Sequence, residues 1–406
     1  MIKEDLQSSQ SSAYTEQPAV EQLSESLKRH EKIIQSYKTQ NIFVEESNIK
    51  SLVQHIKRRT ALESIFTTNY LLYSFTKEDF ATFFEVLRLS SASLRSINLG
   101  VRFAGGQFRK LFGELARCQH LKSLRFDFSH NWGFGHSEMQ QISLLLRSIH
   151  ALSVLDLGFS FYHAMDLKDF QALCFGLKCQ NRLSDLRLNF YRCHKITPRE
   201  IDNLIYTFEV LSSLKRLRLD FTQCGNVGDV GAATIAKALR SLKALTSLTL
   251  KLQSTRIGTK GLEEISFVLK ELTHLEEIDL NFFECGRIQD KAFESLCKSL
   301  EGLNDLKSLS LNFYTCKQIT DKSLEKLSAS ISLLKNLETL NLKFADSEKM
   351  SVEGVQGLAR ALKEHQKLSK INILLRLPNV SQENFENIFN EFMTIQKVRE
   401  GFLIQK

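Results

Sequence analysis

The chain of 406 residues carries a formal net charge of +8, with 43% hydrophobic and 25% charged residues and only 3 prolines and 18 glycines. That composition excludes collagen-like and extensively disordered structure, and leaves room for one elongated domain or two to three compact ones. No run approaches the ~18 consecutive apolar residues of a membrane span. The 8 cysteines are too sparse for a disulfide framework and point to a reducing, cytoplasmic setting.

The opening residues MIKEDLQSSQ bring early acids and no apolar core, unlike a secretory signal. Residues 1–18 are rich in Ser, Gln and Glu and read as a disordered polar tail. Residues 19–93 read as a helical segment and cap. Val20, Leu23, Leu27 and Ile34 share one side of a predicted helix, and Leu62 with Ile65 begins a degenerate copy of the pattern that follows.

From residue 94 to 380 one pattern governs the chain. L-x-x-L-x-L-x-F opens at Leu121, Leu152, Leu183, Leu214, Leu245, Leu275, Leu306, Leu337 and Leu368, with steps of 31 residues and a single step of 30. A weaker copy starts at Leu94, which makes about ten units. Within each unit the hydrophobic period changes. Leu309, Leu311 and Phe313 alternate as on one face of a strand, whereas Leu324, Leu327, Ile331 and Leu334 follow helical spacing. Neither element buries its apolar face alone, so neighbouring units must stack. Strands spaced about 4.8 Å apart, backed by helices that need about 8–10 Å, force the row to curve with the strands inside. Residues 381–406 read as a last capping helix and a tail.

Leu306-x-x-Leu309-x-Leu311 followed by Cys316, Ile319, Thr320, Asp321 and a helix resembles a leucine-rich repeat protein. The resemblance is to the cysteine-containing and ribonuclease-inhibitor-like classes, in a long, roughly 31-residue unit. It departs from them through the added inward phenylalanines Phe190, Phe221, Phe282, Phe313 and Phe344. The expected fold is an α/β solenoid, a horseshoe or arc with parallel strands on the concave face and helices on the convex face.

The residue after the strand reads Asn131, Tyr162, Cys193, Cys224, Thr255, Cys285, Cys316, Ser347 and Pro378. In the family that the chain resembles, this side chain turns inward and bonds backbone of its turn and of the neighbouring unit. The resemblance therefore implies a structural ladder of Asn131, Cys193, Cys224, Thr255, Cys285, Cys316 and Ser347, interrupted by Tyr162 and Pro378. Metal ligands would converge rather than run in a row, so no metal and no cofactor is expected. His194 beside Cys193 invites a nucleophile pair, but adjacent residues at a strand exit point in different directions. Phosphate-loop, serine-elbow and H-E-x-x-H signatures are lacking, and the chain is expected not to be an enzyme.

Outward strand positions form three columns, and the usual interface anchors, arginines and aromatics, recur in them. Arg187, Tyr191, Arg218, Asp279, Phe283 and Tyr314 are the candidate partner-binding residues. The first reading is a protein–protein interaction scaffold, such as one subunit of a larger assembly, with its protein partner on the concave face. RNA binding is the alternative, since aromatics stack on bases. Asp156, Asp220 and Asp279 interleave with the arginines, however, and a phosphate-tracking groove should be more evenly positive. A third reading, a GTPase-activating regulator, follows from the resemblance and would use Arg95 or Arg102 near the first units.

Overall fold

The computed structural model describes residues 41–43, 62–66, 76–100, 107–131, 134–344, 350–376, 381–393, 395 and 402–405. The polar tail and the predicted helix around Val20–Ile34 lie outside the described residues. Among those described, the strands form one 13-stranded sheet in strict chain order. Its strands are β1 (Asn41–Phe43), β2 (Ser64–Phe66), β3 (Ser96–Gly100), β4 (Ser123–Asp127), β5 (Val154–Gly158), β6 (Asp185–Asn189) and β7 (Arg216–Asp220). They continue as β8 (Ser247–Lys251), β9 (Glu277–Asn281), β10 (Ser308–Asn312), β11 (Thr339–Phe344), β12 (Lys370–Arg376) and β13 (Phe402–Gln405). Every neighbouring pair is parallel, with Leu309 opposite Leu340 and Ile278.

Helices cover the other side. They are α1 (Lys77–Ser90), α2 (Gln107–Leu115), α3 (His136–Ser148), α4 (Leu167–Leu177), α5 (Pro198–Ile201) and α6 (Asn203–Val210). The rest are α7 (Gly228–Leu239), α8 (Thr259–Leu269), α9 (Asp290–Leu300), α10 (Asp321–Leu333), α11 (Val352–Glu364) and α12 (Gln382–Met393). The sequence period ends at residue 380, yet the sheet runs further. Phe402–Gln405 pairs with β12, and β1 and β2 extend the opposite edge. Strands β1 and β13 lack the leading leucine of the unit, so periodicity alone does not reveal them, whereas β2 is the strand of the degenerate copy at Leu62 and Ile65. Leu62 and Ile65 of the degenerate copy are buried.

The core is one continuous slab between sheet and helices. Leu309, Leu311, Leu324, Leu327 and Ile331 of a single unit are all buried in it. Phenylalanines stack through its length: Phe159 on Phe190 at 5.8 Å, Phe190 on Phe221 at 5.2 Å, and Phe282 on Phe313 at 5.3 Å between ring centroids. Leu252 stands at the same position between Phe221 and Phe282 and is equally buried. It splits the aromatic column into two segments.

Strands β4 to β10 each leave the sheet by the same turn. Sheet-like bonds continue past the strand ends, with Arg192 N–H donating to Thr222 O (2.9 Å) and Glu284 N–H to Tyr314 O (3.1 Å). The chain then kinks at a residue of positive φ, which is His130, Phe161, Arg192, Gln223, Ser254, Glu284 or Thr315 in successive units (φ 55 to 64°). None of these is glycine, although left-handed backbone costs an L residue about 1–2 kcal/mol. The packed units on either side hold the turn in place. Its consequence is directional, because the residue that follows, such as Cys193 or Cys316, is turned into the core.

A second device joins unit to unit at the helix starts. Asp290, the first residue of α9, accepts from Thr320 N–H (2.8 Å), Thr320 Oγ1–H (2.7 Å) and Ser323 Oγ–H (2.7 Å) of the next unit. Asp321 likewise accepts from Ser351 N–H (2.7 Å), and Asp229 from the N–H groups of Gly258 (2.7 Å) and Gly261 (2.9 Å). Each carboxylate thus satisfies unpaired donors at the following turn or helix start, where the helix dipole also favours negative charge. Glycine at 261 is required by this approach: a Cβ there would lie 2.7 Å from Asp229 Oδ1. Asp290→Ala removes three charge-assisted bonds and is expected to lower stability by about 2–3 kcal/mol. Urea denaturation measures this, and a loss below about 0.5 kcal/mol would show that the junction is held by packing alone.

Candidate interaction surface on the concave sheet

Register places the outward side chains in rows across the sheet. Arg125, Asp156, Arg187 and Arg218 stand directly opposite one another on β4 to β7, and Thr249 and Asp279 continue the row on β8 and β9. Arg187 does not stand alone. Its Nε donates to Asp185 Oδ1 at 3.2 Å, and Arg216 Nε donates to Asp185 Oδ2 at 3.0 Å. The Asp185 side chain is 4% exposed, so two guanidiniums clamp one buried carboxylate. Burial acts to lower the Arg187 pKa, but the bond that Arg187 donates to Asp185, with the charges of Asp185 and Asp156, holds it above its ordinary value.

Asp185 and Arg216 belong to a row one step nearer the start of the strand than the columns read from sequence. The signal was the same alternation, extended by one outward position. Asp156, Arg187, Leu188, Asn189 and Arg218 line an open depression of about 210 Å³. Burial raises the Asp156 carboxyl above the usual carboxylate range, opposed by Arg187, Arg125 and Arg218. Lys251 is lowered, first by burial and then by Arg218, with Asp220 and Asp279 opposing. Arg218 is exposed and Asp279 half-buried.

The aromatic candidates lie past the strand ends, in the exit turns. Tyr191, Phe283 and Tyr314 are each half-buried. An Asx-type bond fixes each one. Asn189, Asn281 and Asn312 accept from the N–H two residues on, at 2.9, 3.0 and 3.1 Å respectively. Phe283 and Tyr314 form one patch, with centroids 5.5 Å apart. Tyr191 belongs to a different patch, packed edge-on against Phe161 at 5.2 Å with the Arg192 guanidinium over both rings. Between the patches the same position is held by Thr222, which is buried, and by Gln253. Sequence columns did not include Phe161 and Arg192, because they sit on the left-handed kink and leave the strand alternation.

The inward turn residues bond backward. Cys193 Sγ–H points at Phe159 O (3.2 Å), Cys224 at Phe190 O (3.1 Å), Cys285 at Leu252 O (3.3 Å) and Cys316 at Phe282 O (3.3 Å). The acceptor is in each case the core-column residue of the preceding unit. Thr255 differs, since its hydroxyl donates to Leu252 O at 2.5 Å within its own unit. Asn131 is half-buried at the equivalent turn, and Ser347 lies outside the described residues. Tyr162 departs from the series because its long side chain reaches the next helix start, where its hydroxyl donates to Asp169 Oδ2 at 2.7 Å.

Burial pushes the thiols of Cys193 and Cys316 well up, that of Cys224 to about 12 and that of Cys285 to about 11. These are the opposite of nucleophilic thiols. His194 is exposed and stacked on His163 at 5.4 Å, while Cys193 is buried, so the adjacent pair faces two ways. His136, Asp166 and Asp169 bring donor atoms within 4.8 Å of one another. The Asp169 oxygens already accept from Tyr162 and pair with His136 Nδ1 (2.6 Å), and the group sits at the positive start of α4, a poor place for a cation. Arg95 is exposed beside β3, and Arg102 lies outside the described residues.

A parallel sheet in chain order, a helix-bearing crossover between each successive pair of strands from β2 to β13 and a leucine-filled slab between the layers define a leucine-rich repeat solenoid. No protein-family model matches the chain, and no curated protein matches its sequence. Among solved structures it is similar to the leucine-rich repeat-containing protein LegL7 from Legionella pneumophila, at 18% identity over 88% of this chain and 99% of that one, with a TM-score of 0.41. An overlay that loose leaves the fold to rest on the topology itself. No helix among the described residues is long and apolar enough to cross a membrane.

Proposed function

We propose that the chain is a non-enzymatic scaffold that binds a protein partner on the concave sheet, through Arg187, Arg218 and Asp279 on the strands and Tyr191, Phe283 and Tyr314 at the strand exits. The observation that carries this reading is the half-exposed Phe283–Tyr314 pair, 5.5 Å between centroids, on the same face as the buried-carboxylate arginine clamp. Rigid aromatics and pre-ordered guanidiniums lose little entropy on binding and are the usual anchors of interfaces. The inward cysteines serve the fold and not chemistry. All 8 are free thiols, which fits a cytoplasmic location. Asp156 and Asp279 stand in the same central row as the arginines, which favours a protein of mixed charge over a polyphosphate.

Replacing both Tyr191 and Phe283 by alanine is expected to weaken partner capture tenfold or more, at about 1–2 kcal/mol or more for each anchor. The fold should survive with little change in Tm. Capture from cell extract by the folded variant, quantified by mass spectrometry against the parent protein, checks this. Undiminished capture places the partner elsewhere on the molecule.

A further inference from the structure

The helices carry a second unusual surface, on the opposite side from the sheet. Helix faces turned to solvent are normally polar. Here Leu144 of α3, Phe175 of α4 and Tyr206 of α6 are 51, 56 and 61% exposed. They occupy the same position in three successive units, and Val210, 44% exposed, lies one turn beyond Tyr206. None of them is needed by the core, which each helix fills from its other face, as with Leu173 and Leu177 of α4. The row begins after Gly113 and is interrupted at exposed Lys237, beyond which Phe267, 57% exposed under the Arg240 guanidinium, takes the position again.

Cations from one unit cover the rings of the next. The Arg147 guanidinium lies 4.8 Å from the Phe175 centroid, and the Lys178 ammonium lies 5.8 Å from that of Tyr206. Such contacts hold the rings in place while leaving an outer face open. Glu209 takes the corresponding place after Tyr206, so within these three units the positive charge lies at the Leu144–Phe175 end.

We infer that this stripe docks an amphipathic helix of a protein partner, with apolar residues one heptad apart and acidic residues beside the first two. Spacing selects the helix. Neighbouring solenoid helices lie about 8–10 Å apart, and one heptad of α-helix rises about 10.5 Å. A helix laid across three units therefore offers one apolar side chain to each. An extended strand repeats the same face every ~6.6 Å and falls out of step at once. Charge selects the flanks, because Arg147 and Lys178 favour carboxylates. A second copy packed stripe to stripe would oppose Lys178 to Lys178 in either direction, and Arg147 to Arg147 as well when the stripes run parallel.

The test uses the full chain and a fluorescent three-heptad synthetic peptide with leucine at every seventh position and glutamate beside it. Its control carries lysine in place of glutamate. Fluorescence anisotropy should show the acidic peptide binding at least tenfold more tightly than the control. Phe175→Ser combined with Tyr206→Ser should remove at least tenfold of that affinity at an unchanged Tm, and the Tyr191→Ala, Phe283→Ala variant should bind as the parent does. Absence of binding, equal binding of both peptides, or loss in the concave variant instead overturns the inference. So does stripe-dependent binding to phosphatidylserine vesicles without peptide binding, or stripe-dependent dimerisation seen in sedimentation, each of which assigns the surface to another occupant.

Discussion

Phe282→Ala is expected to lower stability by about 3–5 kcal/mol, the range for a fully buried phenylalanine truncated in a packed core. Phe283→Ala, the very next residue, is expected to cost about 1 kcal/mol or less. Phe282 is 0% exposed and stacks on Phe313 at 5.3 Å. Its removal leaves a cavity that the flanking units cannot close, because their own spacing is set by strand pairing. Phe283 instead points out of the concave face, half-exposed beside Tyr314. Denaturant midpoints of the two variants, measured side by side, decide the matter. Equal losses would mean that the alternation is misassigned by one residue, which inverts both faces of β9 and moves the proposed interface into the core.

The same pair of residues shows what the sequence carries and what it conceals. Period-two spacing told Phe282 from Phe283 without coordinates, and the 31-residue step placed Leu309 opposite Leu340. Those are properties of repetition, and repetition is visible in a single chain. The Arg187–Asp185–Arg216 clamp was not legible, because which neighbours a guanidinium chooses depends on register and rotamer together. The split of the aromatics into a Tyr191 patch and a Phe283–Tyr314 patch was hidden for a related reason. A column written as a list has no gaps, whereas buried Thr222 interrupts the real one. Asn189, Asn281 and Asn312 read as displayed side chains in the sequence, yet each spends an oxygen on the turn that follows. Unpatterned ends conceal strands as well. Phe402–Gln405 joins the sheet with only a short apolar run and no leading leucines.

Deleting residues Leu245 to His274 as one block should yield a shorter protein that still folds. The cut joins Ala244 to Leu275, so Leu275 takes the place of Leu245 and the pattern resumes in register. Strand β7 would then meet β9 directly, placing Leu217 beside Ile278 and Leu219 beside Leu280. Removing Leu252 would also bring Phe221 next to Phe282 and close the gap in the aromatic column. Cys285, which now reaches back to Leu252 O, would find Phe221 O in the equivalent place. One misfit is foreseeable. Ala292 would replace Gly261 opposite Asp229, where a Cβ approaches an oxygen to 2.7 Å. That strain and the loss of one inter-unit interface should lower Tm without destroying cooperativity, since solenoid stability is close to a sum over neighbours. A deletion of Leu245 to Ile257 alone removes β8 and its exit turn but keeps α8, leaving a helix with no strand of its own and the following units out of step. Circular dichroism and thermal melting separate the two constructions. Folding of the first and collapse of the second is the expected result, and equal collapse of both would contradict a nearest-neighbour solenoid.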